Sequence, residues 1–244
     1  MEARLIIDAP APGAWNMAVD EVLLGSASER SALTLRFYRW AEPVVTLGYF
    51  QAYAGGDRHE PSRACLRIRR STGGGAIVHD RELTYSLAVP TRDRWASPPQ
   101  EWYELLHRTL VDVLADFGIV AKQHAAELEE TDDAFLCFQR RSTGDVVIGS
   151  YKVCGSAQRR HHQSMLQHGS VLLARSEHAP ELPGLEDLQG AEIAVDELRE
   201  AWLAELVKRL GFALVPGELT ESERQAAERV MFERYAADSW NRKR

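Results

Sequence analysis

Lys152 is the residue whose type and surroundings most suggest chemistry. Only four of the 29 basic residues are lysines, and Lys152 lies in the glycine-framed run Gly149-Ser-Tyr-Lys-Val-Cys-Gly-Ser-Ala-Gln-Arg159. A lysine ammonium is a compact charge that fits between small residues, whereas a guanidinium needs a planar set of partners. Considered alone, the run favours a solvated lysine on a strand, since most lysines lie on surfaces, and a lysine with a chemical role is the alternative.

A glycine-rich loop supplies the second candidate site. It lies in the run Arg69-Arg-Ser-Thr-Gly-Gly-Gly-Ala-Ile-Val-His-Asp80. Three consecutive glycines allow a ligand to approach the backbone closely, although a tight hairpin would also use them. Arg70 is suited to pair with an anionic ligand group. His79 is expected to hold the loop through hydrogen bonds, and the alternative is that it donates to a ligand carbonyl or phosphate.

The three cysteines have the spacing of neither a metal site nor a disulfide framework. They are Cys65, Cys137 and Cys154. Thiols without such spacing are typical of a reduced protein. We therefore expect a cytoplasmic protein without a metal site.

The charge and hydropathy of the chain argue against two classes of partner. The formal net charge is −7 over 244 residues, which disfavours general binding to nucleic acid. No stretch approaches the roughly 20 apolar residues of a membrane span. Two groups of arginines nevertheless suit an anionic ligand or an acidic protein partner. These groups are Arg67, Arg69 and Arg70, and Arg140, Arg141, Arg159 and Arg160.

The first part of the chain is predicted to form strands around one helix. Residues 14–24 have apolar side chains at helical intervals before Gly25. Short runs rich in β-branched and aromatic residues predict the strands. The predicted strands are residues 5–7, 33–38, 44–47, 66–68 and 83–89. Residues 101–117 form the clearest helix, because an apolar stripe precedes a stop at Gly118.

The second part of the chain positions the lysine. Residues 145–148 and 151–154 flank Gly149-Ser150, which predicts a hairpin that carries Lys152, and residues 165–173 predict a further strand. An exposed loop at 125–133, a plausible mobile lid, leads into a predicted strand at 134–138. Helices are predicted at 192–210 and 220–235, the latter with a capping box between Thr220 and Glu223.

These elements predict one domain, residues 1–244, in which residues 192–244 form a helical carboxy-terminal extension. Residues 180–190 are a possible joint between the sheet and this extension. Two separate cores are not required.

Several ordered motifs together resemble the lipoate and octanoate protein modification family, which shares a fold with biotin protein ligases. The motifs cover most of the chain. They are Asn16-Met-Ala-Val-Asp-Glu21, Leu47-Gly-Tyr-Phe-Gln51, the arginine–glycine loop with His79-Asp80, Leu83-Thr-Tyr-Ser86, Lys152 with Gly155-Ser-Ala-Gln158, and Leu166-Gln-His-Gly169. The resemblance implies an α+β fold with a mixed, largely antiparallel sheet backed by helices.

The resemblance also implies a site. In that family the arginine–glycine loop and the lysine hairpin enclose a narrow apolar tunnel for a medium-length acyl chain, with the lysine at the acyl carbonyl. The residues then expected to bind the acyl ligand or to support the lysine hairpin are Arg70, Gly73, Gly74, Gly75, Ala76, His79, Gly155, Ser156, Ala157, Gln158, His168 and Gly169. Candidates for the tunnel wall are Leu47, Tyr49, Phe50 and Ala76, for which ordinary core packing is the alternative.

Cys137 favours one branch of the family. Its segment, Phe135-Leu-Cys-Phe138, is similar to the cysteine-bearing strand of the cysteine-using octanoyltransferases, and it precedes Lys152 by 15 positions. A nearby ammonium would favour the Cys137 thiolate and would stabilise an oxyanion at the acyl carbon. A buried, unreactive Cys137 is the alternative.

Cys154 is the second candidate nucleophile, because neighbours i and i+2 on a regular strand share a face, and Lys152 is that neighbour. The family commonly has a small or apolar residue at the position of Cys154. Cys65 is predicted to be structural.

The leading hypothesis is thus octanoyl transfer, through Cys137 and Lys152 as catalytic residues. The resemblance implies octanoyl-acyl carrier protein as donor, a lysine of a lipoyl-domain protein as acceptor, and no cofactor. Only 28 residues follow Pro216, whereas ligases that use ATP and magnesium usually carry an accessory carboxy-terminal domain. The run Thr72-Gly-Gly-Gly-Ala76 is closer to the ligase branch, and some ligases have the accessory domain on a separate chain. A noncatalytic module that binds acyl groups or carrier proteins is the third possibility.

Overall fold

An eight-stranded mixed sheet runs through the part of the chain that the computed structural model describes, residues 3–92, 95–125 and 134–244. A three-stranded sheet packs beside it. In chain order the strands are β1 (Ala3–Ile7), β2 (Thr34–Tyr38), β3 (Val44–Leu47), β4 (Leu66–Arg69), β5 (Ile77–His79), β6 (Glu82–Pro90), β7 (Lys122–Gln123), β8 (Val146–Ile148), β9 (Tyr151–His161), β10 (Ser164–Leu172) and β11 (Leu214–Pro216).

The large sheet has the strand order β11-β1-β2-β6-β10-β9-β8-β7, and the small sheet has the order β4-β3-β5. Strand β1 is parallel to both of its neighbours. The neighbouring strands in the remainder of the sheet, β2-β6-β10-β9-β8-β7, are all antiparallel to one another. In the small sheet, β3 pairs with β4 in parallel and with β5 in antiparallel orientation. The predicted fold class, a mixed and largely antiparallel sheet backed by helices, is confirmed.

Helices cover both faces of the large sheet. They are α1 (Gly13–Arg30), α2 (Pro99–Asp116), α3 (Leu185–Gln189), α4 (Val195–Leu210), α5 (Glu221–Val230) and α6 (Asp238–Asn241). Strand β6 shows how the sequence divides the two faces. Leu83, Tyr85 and Leu87 join the core beneath α2 and α4, whereas Ala88 joins the core beneath α1 and α5. Alternation along a strand places successive side chains on opposite faces.

Most predicted elements are present, with bounds that differ by a few residues. The predicted helix at 14–24 extends over all of α1, and the predicted helix at 101–117 is α2. The Thr220 capping box is present, because its hydroxyl accepts from the Glu223 amide while the Glu223 carboxylate accepts from the Thr220 amide. The helix then ends in a π turn, Met231–Tyr235.

Three expectations about elements are wrong or incomplete. The predicted strand at 134–138 is instead a 3-10 turn, Cys137–Gln139, preceded by a single bridge between Leu136 and Ala76. The predicted joint at 180–190 contains α3, whose Leu185 is buried in the main core. The extension at 192–244 is not purely helical, because β11 adds a strand to the sheet beside β1.

The predicted loop at 125–133 falls almost entirely on residues 126–133, which lie outside the described residues, so the lid stays a prediction. Within the described ranges, no helix combines the length and the apolar character needed to cross a membrane. The cytoplasmic location also stays a prediction.

The hairpin of β8 and β9 is confirmed, and it contains an irregularity that matters for the site. Val147 pairs with Lys152, but Val146 pairs with Cys154, so one extra residue of β9 is inserted between the two pairs. A bulge of this kind reverses the facing of the residues that follow it. Lys152 and Cys154 therefore lie on opposite faces, and the expectation that they share one is wrong.

Candidate active site

A cavity of about 350 Å³ opens where β9, the first turn of α2 and the arginine–glycine loop meet the Cys137 turn. Cys137 and Lys152 both line this cavity. The other predicted site residues that line it are Arg70, Gly74, Gly155, Ser156, Ala157, Gln158 and His168. Segments that are distant in the sequence thus form one cavity wall.

Lys152 lies between a thiol and a carboxylate. Its Nζ is 3.8 Å from the Sγ of Cys137 and 2.8 Å from Oδ2 of Asp145. The ammonium also lies 5.4 Å from the ring centroid of Phe138. Burial by itself would lower the pKa of Lys152, but the negative charges available at Cys137 and Asp145 outweigh it and raise that pKa. Lys152 is therefore a fixed cation at neutral pH.

Gly155 makes room for this lysine. A Cβ atom at Gly155 would lie 2.2 Å from Cε and 2.5 Å from Nζ of Lys152. Only a glycine allows the lysine side chain to lie along its own strand and reach Cys137. The presence of a glycine at position 155 in the sequence motif thus has a steric explanation.

Asp145 is the main residue of the site that the sequence analysis missed. Its Oδ1 accepts a hydrogen bond of 2.7 Å from the hydroxyl of Tyr103 on α2, and its Oδ2 accepts one of 2.7 Å from the Ser142 amide. These bonds fix the carboxylate that in turn holds the Lys152 ammonium. The available signal was an acidic residue at the start of the apolar run Asp145-Val-Val-Ile148.

The Cys137 turn is fastened to the glycine loop by backbone hydrogen bonds. The Cys137 amide donates to the Ala76 carbonyl at 2.7 Å, and the Ala76 amide donates to the Phe135 carbonyl at 2.9 Å. A Cβ atom at Gly75 would lie 3.0 Å from Cα of Cys137. Gly75 and Ala76 therefore lie against the backbone of the Cys137 turn and fix the position of Cys137 relative to the glycine loop.

Arg70 lies under the same loop and is fully buried. Its guanidinium donates to the carbonyls of Gly73 and Gly75, to Thr46 and to the Thr72 hydroxyl. Burial lowers the pKa of Arg70 to about 10, against the opposing influence of Cys137. The guanidinium therefore shapes the loop from within and adds a second positive charge near the thiol.

His168 connects the loop to α1. Its Nδ1 donates to the Asp20 carboxylate at 3.2 Å, and its Nε2 then accepts from the Thr72 hydroxyl at 2.7 Å. Asp20 also accepts hydrogen bonds from Arg36, Tyr38 and Ser86. Asp20, the aspartate of the motif on the first helix, thus holds the arginine–glycine loop through His168.

A second hydrogen-bonded chain supports the β9 side of the cavity. His107 of α2 donates from Nδ1 to the Gly144 carbonyl at 2.7 Å, so its Nε2 accepts from the Ser156 hydroxyl at 2.6 Å. Ser156 is also 2.5 Å from the Tyr85 hydroxyl. Burial lowers the pKa of His107 to about 4, so the ring is neutral at pH 7. Sequence reasoning did not find His107 or Tyr103, since both reach the site only through the packing of α2.

Cys154 lies in the main core, 3.8 Å from Nε2 of His107, and burial raises the pKa of its thiol. It does not line the cavity. Cys65 is half-buried at the edge of the small core around β3.

The remaining predicted residues lie beside the cavity rather than in its wall. His79 and Gly169 line a separate, smaller pocket behind it. None of the four tunnel-wall candidates lines the cavity: Leu47 and Ala76 pack in the small core, Tyr49 packs against Trp240, and Phe50 is 72% exposed. Their role at a tunnel wall stays a prediction. The apolar groups that line the cavity come instead from Ile77, Tyr103 and Phe138.

The arginine groups also differ from expectation. Arg69 and Arg70 are buried, so neither offers a surface to a partner. Arg69 donates to the backbone carbonyls of Gly48, Tyr49 and Gln51 and of Asn241, which joins the glycine loop to α6.

This combination of fold and site agrees with a known family. The sequence model of the lipoyl protein ligase A/B catalytic domain matches residues 12–179. The chain belongs to that family. The matched range includes the arginine–glycine loop, Cys137 and Lys152.

Within the lipoyl protein ligase A/B family, similar relatives share one activity. The chain is 34% identical to octanoyltransferase LipM of Kyrpidia tusciae, over 98% of this chain and 97% of that protein. It is 33% identical to octanoyltransferase LipM of Symbiobacterium thermophilum, with the same two coverages. The predicted family and the predicted class of enzyme, an acyltransferase, are confirmed.

Solved structures of the family share the fold. A lipoate-protein ligase A bound with ATP has a TM-score of 0.78 and 23% identity, over 99% of each chain. A chain from a structural analysis of the bipartite lipoate protein ligase of Thermoplasma acidophilum and its E2 lipoyl domain has a TM-score of 0.76 and 20% identity, over 99% of this chain and 96% of that one.

Proposed function

We propose that the protein transfers an octanoyl group from acyl carrier protein to a lysine of a lipoyl domain, through a thioester on Cys137. The observation that carries the proposal is the 3.8 Å contact between Lys152 Nζ and Cys137 Sγ inside a cavity. The relatives named octanoyltransferase support octanoyl transfer in protein lipoylation. The thioester and the donor are the parts that the proposal adds.

In the first step, the Cys137 thiolate attacks the carbonyl carbon of the octanoyl thioester. The new bond joins Sγ to the acyl carbon, the bond from that carbon to the carrier sulfur breaks, and the carrier thiolate takes up the proton that Cys137 released. The Lys152 ammonium lies 3.8 Å from the attacking sulfur and then faces the oxyanion of the tetrahedral intermediate. Its raised pKa keeps it charged throughout.

In the second step, the neutral amine of the acceptor lysine attacks the acyl carbon of the Cys137 thioester. An amide bond forms, the bond to Sγ breaks, and the amine proton balances the thiolate that leaves. As the thiolate forms again, Lys152 at 3.8 Å stabilises its charge. Asp145 holds the ammonium in place between the two steps.

Among the three cysteines, Cys137 is the one that the geometry suits. Cys154 is buried beside His107 with a raised pKa, and Cys65 lies at the edge of another core. Both are poor nucleophiles in these positions. The reaction as proposed uses only thiol, amine and ammonium groups, so it requires no cofactor.

The test incubates the protein with octanoyl-acyl carrier protein without nucleotide and measures the intact mass. We expect one octanoyl adduct, its loss in Cys137→Ala, and its transfer to a lipoyl domain added later. Cys154→Ala serves as the matched control and should retain the adduct. An adduct that persists in Cys137→Ala would remove that residue from the mechanism.

The same assay separates the two other hypotheses. A lipoate-protein ligase would modify the lipoyl domain only when free lipoate or octanoate is supplied with ATP and magnesium. A noncatalytic module would bind the donor and leave the lipoyl domain unmodified with every donor. We expect modification of the lipoyl domain without nucleotide. That result would contradict both the ligase hypothesis and the noncatalytic hypothesis.

A further inference from the structure

Aromatic rings and positive charges form one surface patch on the loop after β3, on α6 and on the residues that follow α6. The members of this basic–aromatic patch are Tyr49, Phe50, Trp240, Lys243 and Arg244. The rings of Tyr49 and Phe50 meet edge to face with centroids 5.0 Å apart, and the centroid of Trp240 lies 5.9 Å from that of Tyr49. Phe50 is largely exposed, so the patch offers an apolar ring to a partner.

Two exposed cations lie over these rings. Nζ of Lys243 is 3.8 Å from the ring centroid of Tyr49 and 3.3 Å from that of Trp240. The guanidinium of Arg244 lies 5.4 Å from Tyr49 and 5.3 Å from Phe50. Contacts of this kind hold a cation against a ring without neutralising its charge.

The two patch cations differ from neighbouring cations in their ion pairs. Arg234 and Arg242 pair with Glu21 and Asp238. Among the residues that the structure describes, no carboxylate forms such a pair with either patch cation. The patch therefore presents two positive charges on a chain whose formal net charge is −7, which suits an acidic partner.

Hydrogen bonds fix the conformation of the patch. Nε1 of Trp240 donates to the Arg69 carbonyl at 2.7 Å, and the Arg244 carbonyl accepts from the Tyr53 amide at 2.9 Å. A surface that is ordered before it binds loses less conformational entropy on binding.

The patch lies one loop away from the cavity of Cys137. The Tyr49 amide donates to the Thr72 carbonyl at 2.8 Å, and a Cβ atom at Gly48 would lie 1.9 Å from the Gly74 carbonyl oxygen. Gly74 itself lines the cavity. A partner that covers the patch therefore sits beside the cavity, and its reactive group must extend past the glycine loop to reach Cys137.

This position distinguishes the two protein substrates of the proposed reaction. The acceptor offers a lysine, whose four-carbon stem projects directly from the body of the protein. An acyl carrier protein instead presents its thioester at the end of a long, flexible pantetheine arm. The arm spans the gap from the patch to Cys137, whereas the lysine requires the acceptor to sit over the cavity itself.

We propose that the basic–aromatic patch docks the acidic body of the donor acyl carrier protein, with Lys243 and Arg244 against its carboxylates and Phe50 against its surface. A lipid surface suits the patch less well, since each cation near an anionic membrane contributes only about 1 kcal/mol. The inference rests on the proposed function, which places the donor thioester at Cys137.

The experiment compares two octanoyl donors in the double variant Lys243→Glu/Arg244→Glu. They are octanoyl-acyl carrier protein and octanoyl-pantetheine, which has the thioester and the arm without the protein. Intact mass gives the rate of adduct formation on Cys137. With carrier protein, the apparent second-order rate constant should fall at least about 10-fold, because the reversed charges repel an acidic donor. The rate with octanoyl-pantetheine, and the rate of iodoacetamide alkylation at Cys137, should not change.

Two single variants accompany the double variant. Phe50→Ala removes the exposed ring without a change of charge and should slow loading from carrier protein alone. Lys208→Glu is the matched control, because it reverses the charge of an exposed lysine on α4 and should keep the wild-type rates with both donors.

The transfer step shows which substrate the patch serves. From a preformed octanoyl adduct on Cys137, the double variant should modify a lipoyl domain at the wild-type rate. Slower transfer with unchanged loading overturns the inference in favour of docking of the acceptor.

Wild-type loading from carrier protein in both the double variant and Phe50→Ala overturns the docking role and leaves the proposed function intact. An equal loss with octanoyl-pantetheine or in alkylation also overturns it, because the substitutions then act on the glycine loop through Tyr49. A wild-type protein that forms no adduct with either donor overturns the proposed function, and the inference falls with it.

Discussion

Replacing Gly155 by alanine tests the geometry of the site through a single methyl group. The new Cβ would lie 2.2 Å from Cε of Lys152, whereas carbon atoms pack at about 3.5–4.0 Å. The atoms in conflict are the far end of a flexible side chain, so the fold should survive while the lysine moves. A displacement of at least ~1.3 Å is required to restore ordinary contact.

The cost of that displacement follows from Coulomb's law. With an effective dielectric constant of about 20, opposite charges 3.8 Å apart attract by ~4.4 kcal/mol, and charges ~5.1 Å apart attract by ~3.3 kcal/mol. A lysine that moves directly away from Cys137 thus loses ~1 kcal/mol of its attraction for a negative charge that develops on Sγ, which corresponds to roughly a sixfold lower rate of reaction at that sulfur. Misplacement by ~1 Å can lower the rate of the acyl step by about 100-fold.

Two assays measure these effects in Gly155→Ala. The rate of iodoacetamide alkylation at Cys137, mapped by peptide mass, reports the reactivity of the sulfur, and the rate of octanoyl adduct formation reports the chemical step. Gly25→Ala is the matched control, because a Cβ at Gly25 meets no atom within 4 Å. If Gly155→Ala alkylates and acylates at wild-type rates, Lys152 does not act on Cys137 as argued.

Two further predictions concern the residues that support the site. Asn241→Ala leaves the buried Arg69 amide and the Tyr235 carbonyl without partners, so the free energy of unfolding in urea should fall by about 2–4 kcal/mol; a loss below ~0.5 kcal/mol would contradict this. Burial lowers the pKa of His107 to about 4, below its unfolded value near 6.5. The unfolded chain therefore binds the proton more tightly, and stability present above pH 6.5 falls by up to ~3 kcal/mol toward pH 4. His107→Gln should lose this part of the pH dependence in urea unfolding, and parallel curves for the two proteins would refute it.

The sequence predicted the parts of the site whose signal is local. The glycine run, the hairpin around Gly149-Ser150 and the capping box at Thr220 each depend on neighbours within a few residues. Backbone freedom and local hydrogen bonding decide these features, so composition and spacing are sufficient.

The errors arise where tertiary contacts decide. The apolar run around Cys137 was predicted as a strand. In the structure, Leu136 forms a single bridge to Ala76, and the chain then enters a 3-10 turn at Cys137. A short apolar run has no periodicity that separates these outcomes. Cys154 was placed on the wrong face because one inserted residue in β9 reverses the alternation.

Asp145 has partners that the sequence does not place together. Its hydrogen bond from Tyr103 joins residues 42 positions apart, and it forms only after α2 packs against β9. The family motifs identified Lys152, but the carboxylate that fixes it follows from the packing of a helix.

The bond between Arg69 and Asn241 has a consequence for biosynthesis. Arg69 precedes Asn241 by 172 positions, so a ribosome that adds about 5–20 residues per second adds Asn241 roughly 9–34 seconds after Arg69. During that interval the nascent chain comes to contain the glycine loop, Cys137 and Lys152 without the Asn241 carbonyl, which is one of the acceptors of the Arg69 guanidinium. Cys137 is thus translated well before Asn241, so the Arg69 end of the glycine loop gains this anchor only after α6 has been synthesised.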